Sequence, residues 1–569
     1  MVFSYQTMRR FITFVLWASA VAHAVAATQP TDAPIFPLDE LKAGQRGEVW
    51  TVFRGTEPEP FQVEVTGVLR NALGPGKSLI VCELIDPRVQ KMGAVAGMSG
   101  SPLYIDGRLV GALSYQIQRF ETVRHAGFTP AADLAEVRDK TSAPGNLLVN
   151  QLPETGVTPV RGNLDSTYQA LQPVFTLGGL SPAVSELFAP RFAALGLQAF
   201  ALGGSSQGSA GGTASAPPAQ PAAAVLNQDG KSLAATPVLR PGGAVAVALA
   251  TGDITLAGTG TVSRVDGNRV TAFGHPMLSL GEVALPMCAS EILTILPSQM
   301  QSVKIANTGA VIGTITQDRL SAVSGNLGEG PAMTKVEVTV TPTRGAPRTL
   351  KFSVARQQQL TPVIVAAGVS QAILGSNDAG LANGFRLKSD VSFPAAPKLA
   401  FQTLYSGPQG FAQGLNEFVQ GLAANLQNPY AKTFPEHVAF SIEPLDVNPA
   451  VTLDLFQLSR TVAEAGTTVQ ATLAWRDWQG SAQRETIDIP IDPSWAGKQL
   501  EVVLAPGRTL DEMTGRPRVI SPSELRSFEA YLAAIRNERP GDGVCIAIVE
   551  RTSLFSDQTI ATAQAPGSI

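Results

Sequence analysis

Alternation of apolar and polar residues at every second position recurs along most of this chain. Glu48-Val49-Trp50-Thr51-Val52-Phe53 and Phe61-Gln62-Val63-Glu64-Val65 follow it, with a Gly-Thr-Glu-Pro turn region between them. A period of two sends successive side chains to opposite faces of a sheet, so both segments read as strands. Leu79-Ile80-Val81-Cys82 is apolar throughout, the pattern of a buried strand. Leu103-Tyr104-Ile105 and Arg108-Leu109-Val110 flank Asp106-Gly107, a pair that tolerates the positive φ angles of a type I′ hairpin. Together these predict one lobe of a small β-barrel.

A second β-rich block follows a Gly/Ser/Ala/Pro tract that has no periodicity and reads as a linker. Val262-Ser263-Arg264-Val265 and Arg269-Val270-Thr271-Ala272-Phe273 surround Asp266-Gly267-Asn268, another hairpin. Strand-like text continues through Ile312–Ile315 and Lys335–Val340. In the last third, Val469–Trp475 and Glu485–Pro490 predict a β-sandwich-like module. Ser521-Pro522-Ser523-Glu524 is a capping box opening a helix with an apolar stripe of Leu525, Phe528, Leu532 and Ile535.

Composition narrows the function. At 569 residues the chain exceeds one ordinary core, so several domains are expected. Lys plus Arg is 42 against 46 Asp plus Glu, so no basic excess exists to hold phosphate backbones, and a nucleic-acid partner is disfavoured. Arg9-Arg10 precede an apolar run from Phe11 to Val25, at whose end stands the small-x-small site Ala24-Val25-Ala26. That is a signal peptide cut after Ala26, and it predicts an exported protein, periplasmic or extracellular, with no stable transmembrane segment after cleavage. The three cysteines, Cys82, Cys288 and Cys545, are far apart and form neither a disulfide framework nor a metal motif. No metal or organic cofactor is expected.

Chemistry concentrates in Gly97-Met98-Ser99-Gly100-Ser101-Pro102. A nucleophilic serine needs a tight turn with backbone N–H groups left free to bind an oxyanion. Glycines on both sides of Ser99 permit that turn, and the N–H groups of Gly97 and Ser99 are the candidate oxyanion hole. The chain has four histidines, so any base is one of very few residues. His23 falls in the signal peptide, His437 has no nucleophile nearby in sequence, His125 is a reserve base, and His275 follows Gly274 at the end of a hairpin strand.

The stretch Ile85-Asp86-Pro87-Arg88, then Gly93 to Pro102, then Asp106 to Ala112, resembles the SpoIVB-type serine peptidases. A second match lies at Gly258–Val262 and Ala272-Phe273-Gly274-His275. The resemblance implies a chymotrypsin-like double β-barrel acting on peptide or protein substrates. It implies Ser99 as nucleophile, His275 as general base and Asp86 as orienting carboxylate. The order here is Asp86, Ser99, His275, whereas the sporulation peptidase runs His, Asp, Ser, so the lobes look permuted; triads are defined by geometry rather than order. No PDZ-like segment is present.

The expected fold is therefore mainly β: a chymotrypsin-like double barrel with permuted lobes, followed by a β-sandwich-like C-terminal module with a few helices. The expected organisation is a signal peptide over 1–26, a lobe carrying the Asp and Ser motifs over 27–202, and a linker over 203–224. A lobe carrying the Gly-His motif spans 225–345 and the C-terminal module 346–569. The expected function is serine endopeptidase. The alternatives are a catalytically inactive peptidase-like scaffold of the cell envelope and a structural or carbohydrate-binding protein. A general base of ordinary basicity would give activity an acid limb at about pH 6–7.

Overall fold

A computed structural model of the chain describes residues 30–562 except 31, 118–121, 141–167, 172, 198–199, 203, 206–238, 299–300, 343–345, 375–382, 395, 427–432, 514–526, 537, 540, 551–554 and 557–560. The signal peptide, the capping box and all of the linker tract but Gly204 and Ser205 lie outside the described residues.

The first sheet closes on itself. Strands β1 (Arg46–Thr51), β2 (Glu59–Gly74), β3 (Lys77–Leu84), β4 (Pro102–Ile105), β5 (Arg108–Ile117) and β6 (His125–Pro130) run in the order β4-β1-β2-β3-β6-β5, and β4 pairs back with β5. The alternation read from sequence puts Val49, Phe61, Val63, Val65, Ile80, Cys82 and Phe128 in its core. Asp106 and Gly107 adopt φ of 49° and 72°, the hairpin geometry their identities predict. β7 (Tyr168–Ala170) adds to the β5 edge.

After the short strands β8 (Val174–Gly178), β9 (Phe200–Leu202) and β10 (Gly204–Ser205) comes a second ring. It comprises β11 (Ala244–Gly252), β12 (Thr255–Asp266), β13 (Arg269–Ala272), β14 (Gly281–Leu296), β15 (Val303–Arg319) and β16 (Ala322–Leu327). The order is β11-β14-β15-β16-β13-β12, closed by β11 on β12. The protein is thus mainly β with two closed rings, the double barrel expected.

The sheet does not stop at residue 345. β17 (Met333–Val340) and β18 (Arg348–Ala355) form one hairpin across that position, pairing Val340 with Arg348, and β18 continues onto β11. β19 (Gly384–Ser392), β20 (Leu399–Ser406) and β21 (His437–Pro444) extend it further. β18 finds partners on β11 of the second barrel, and β17 pairs in turn with β18 and β21, so the first hundred residues after the expected boundary build outward from that lobe. The helix Leu360–Leu374, apolar on nearly every side, is buried against this extension. The described remainder holds a three-stranded antiparallel sheet, β22 (Val451–Leu458), β23 (Thr468–Asp477) and β24 (Ala482–Pro490), and the pair β25 (Leu500–Pro506) and β26 (Val544–Glu550). The helix Phe528–Arg536 buries Leu532 and Ile535 in the main core, with Phe528 packed at its edge.

The two barrels meet through the Ser99 turn. Thr261 N–H donates to Ser99 O (2.8 Å), Ser263 Oγ to Gly100 O (2.8 Å), and Thr129 Oγ1 to Gly274 O (2.7 Å). Ala96 bridges Val303, exchanging bonds with Ser302 and Lys304 at 2.8 and 3.0 Å. A Cβ on Gly100 would stand 2.0 Å from Thr261 O and 2.5 Å from Phe273 N, and Gly100 has φ +97°. Gly100→Ala is therefore expected to cost ~4 kcal/mol or to prevent folding, since both neighbours are backbone and cannot yield. Gly107→Ala has positive φ but open space around it, and should cost only about 1–2 kcal/mol. Thermal or urea denaturation compares them; equal losses would refute the close fit at the seam.

Candidate active site

The Ser99 turn is drawn tight by its own backbone. Met98 N–H donates to Val95 O (2.9 Å), Ser101 N–H to Met98 O (3.0 Å) and Gly100 N–H to Leu113 O (2.7 Å). Gly97 and Gly100 have φ of 95° and 97°, a region open to glycine. Met98 and Gly100 spend their N–H groups in this way. The N–H groups of Gly97 and Ser99, the two assigned to the oxyanion hole, have no hydrogen-bond partner among the described residues. Ser101 Oγ donates back to Met98 O (2.6 Å), whereas the buried Ser99 Oγ has no partner.

His275 sits on the loop after β13. Phe273, Gly274, Ser279 and Gly281 in that loop all have positive φ (70°, 69°, 58° and 76°). For Phe and Ser this is a strained conformation, of a kind that clusters at functional sites. The imidazole Nδ1 lies 2.7 Å from Pro276 O. A carbonyl only accepts, so the neutral ring carries its proton on Nδ1 and presents a bare Nε2. That nitrogen is buried and has no partner. Burial depresses the pKa of the ring to about 4, with the Pro276 bond opposing the shift.

The fold brings the two loops together. Gly100 N–H bonds Leu113 O, and a Cβ on Gly274 would lie 3.3 Å from that same oxygen. Gly100 also packs on the Phe273 backbone. Ser99 and His275 thus flank one close contact between the barrels, with Ser99 Oγ and His275 Nε2 both unbonded.

Asp86 is engaged elsewhere. It caps the helix Pro87–Met92, accepting from Arg88 N–H (2.8 Å), and pairs with the Arg88 guanidinium (3.0 Å). Burial pushes its pKa up, but the hydrogen bonds and charge of Arg88 outweigh that and bring the carboxyl below its ordinary value. Arg88 in turn reaches Glu59 and Pro60 O. Nδ1 of His275, which an orienting carboxylate would hold, is bonded instead to Pro276 O. His125 begins β6 opposite Glu83, its Nδ1 3.1 Å from Val123 O, and His437 begins β21 beside Lys335 on the extension.

Two buried charged residues at the seam escaped the sequence reading. Lys304 is fully buried, and its Nζ donates to Thr51 Oγ1 across the seam (2.8 Å). Its stem covers Gly97, where a Cβ would lie 3.0 Å from that of Lys304. It has no carboxylate partner among the described residues, and burial lowers its pKa to about 7. In Val303-Lys304-Ile305-Ala306 the inward positions are Lys304 and Ala306, so parity read from hydrophobicity points the strand the wrong way. Asp318 is also fully buried. It accepts from the N–H groups of Met277 (2.7 Å), Leu278 (2.9 Å) and Leu280 (3.1 Å) in the His275 loop. Burial pushes its carboxyl up, against those bonds and the charge of Arg319. An aspartate next to Arg319 at a strand end gave no sequence signal of burial.

Residues 17–120 match the family described as SpoIVB peptidase S55, which bears out the resemblance to SpoIVB-type serine peptidases. Over that segment the chain is similar to SpoIVB-type serine peptidases, a likeness at family level. The matched segment holds Asp86, Gly97 and Ser99; His275 lies beyond it. No curated protein and no solved structure matches the chain.

Lys304 allows a test of the seam. Its pKa is about 7 folded and 10.5 for the free side chain, so between those values the unfolded chain binds more protons. Stability contributed by the neutral amine is present at high pH and lost as pH falls from about 10.5 to about 7. Lys304→Met should raise unfolding free energy by ~2 kcal/mol or more at pH 7, with the gain shrinking toward pH 10. Urea denaturation against pH measures it; a pH-independent difference would remove the buried-amine account.

Proposed function

We propose that the protein is an exported serine endopeptidase in which Ser99 is the nucleophile and His275 the general base. The observation that carries this reading is the set of unpartnered groups at one seam: Ser99 Oγ, His275 Nε2 and the N–H groups of Gly97 and Ser99. Buried polar groups are nearly always paired, so unpaired ones on two adjacent loops point to an absent ligand.

Ser99 Oγ attacks the peptide carbonyl carbon and gives its proton to Nε2. The carbonyl oxygen becomes an oxyanion facing the two free N–H groups. The imidazolium then protonates the leaving amine, and water repeats the sequence on the acyl-enzyme with His275 again as base. Pro276 O supplies the tautomer control assigned from sequence to Asp86. The C=O dipole stabilises the imidazolium less than a carboxylate bonded directly to the ring, in keeping with the low pKa. Asp86, through its cap and its Arg88 pair, supports the scaffold ahead of the Ser99 turn.

The inactive-scaffold reading draws on a separate observation. Ser99 and His275 are 0% and 1% exposed, so a substrate reaches them only if the seam opens. A fluorophosphonate probe divides the readings, because only an activated serine labels. Ser99→Ala should abolish labelling with the fold intact, while Ser101→Ala, which loses only the bond inside the turn, should keep it. No labelling of the wild type at any pH would favour the scaffold. The base works neutral, so labelling should persist at pH 5 and fall through about pH 4, below the limb expected of an ordinary histidine. A limb at pH 6–7 would mean that His275 is solvated in the working enzyme, so that its pKa is not depressed by burial.

A further inference from the structure

The peptide bond between Pro276 and Met277 is held from both ends. Its oxygen accepts from His275 Nδ1 (2.7 Å), and its N–H donates to Asp318 Oδ1 (2.7 Å). The peptide is a rigid conjugated plane, with C=O and N–H pointing to opposite sides in the trans form. We propose that Asp318 is the positioning carboxylate of this site, acting on His275 through the Pro276–Met277 peptide rather than by direct contact. The chain of bonds is Asp318 Oδ1 to Met277 N–H, then Pro276 C=O to His275 Nδ1–H. This inference rests on the peptidase reading of Ser99 and His275.

Three features support it. A carboxylate accepting from the amide nitrogen polarises the amide, increases negative charge on its oxygen and strengthens the bond to the imidazole, most of all when the ring is protonated. Asp318 Oδ2 accepts from Leu278 and Leu280 as well, so one side chain clamps the loop in which Phe273 and Ser279 hold positive φ. Gly281, where the loop enters β14, pairs with Asp318 itself. The side chain touches no reacting atom; it sets the direction and basicity of the group that does.

The test uses the full chain and two readouts. Asp318→Asn keeps the shape and removes the charge. Its fluorophosphonate inactivation should show kinact at least ten-fold lower with KI unchanged, because the group acts in the transition state and not in probe binding. In proton NMR, the downfield His275 Nδ1–H signal, assigned by its loss in His275→Gln, should move upfield as its bond to Pro276 O weakens. A loss of thermal stability alone moves neither. If the wild type labels and Asp318→Asn labels at the same kinact, the proposal is overturned while the peptidase reading stands. If the wild type does not label, the peptidase reading fails and the proposal is overturned with it, a shifted His275 signal then showing only that the bonds from Asp318 reach the ring. Should Asp318→Asn not fold, Asp318→Glu, which keeps the charge but misplaces the oxygens, is read by the same criteria. Failure of both to fold would make Asp318 a folding residue and overturn the proposal.

Discussion

Backbone-to-backbone contact between the barrels at Gly100 is the constraint on which the rest depends. Thr261 O and the Phe273 backbone occupy the space a side chain would need there, so the Ser99 turn is pressed against the strand pair that leads to His275. Strand backbones in closed rings are already paired, which leaves little freedom to shift. The serine turn completes the junction: Ser99 O, Gly100 O and Gly97 O accept bonds from Thr261 and Ser263 of the other barrel. The candidate site and the junction thus share the Gly97–Gly100 turn, and the turn cannot be loosened without loosening the junction.

Close contact also excludes water, and low dielectric sets the electrostatics. A charged imidazole or ammonium is costly there, hence the low pKa values of His275 and Lys304. A carboxylate is costly for the same reason, and Asp318 is accepted because three N–H groups meet it. With a peptide plane between Asp318 and the imidazole, the carboxylate is spent on backbone donors it must satisfy anyway. That arrangement leaves the buried imidazole neutral and is reached from a different element than the one bearing Asp86.

The double barrel was legible in sequence because each hairpin is a local event. Alternating residues on either side of Asp106-Gly107 or Gly267-Asn268 settle strand, turn and register within about ten positions. The serine turn was legible for the same reason: two glycines three apart permit the positive φ angles it adopts. The boundary at 345 was not legible. A hairpin such as β17–β18 reads alike whether it joins the preceding sheet or starts another, and its partner β11 lies about a hundred residues upstream.

What only the tertiary structure decided is which polar groups meet. Asp86 followed from its motif as a candidate, but Arg88 two residues on is its nearest cation and captures it. Asp318 carries no motif and Lys304 sits on a strand whose outward face is the more apolar one, so nothing local marks either as buried. Their environments are assembled from strands remote in sequence, Lys304 reaching Thr51 across 253 positions and Asp318 reaching Met277 across 41. Periodicity and turn chemistry act between neighbours in the chain and can be read from it; desolvation and hydrogen-bond satisfaction act between neighbours in space, and these exist only once both barrels have closed and docked.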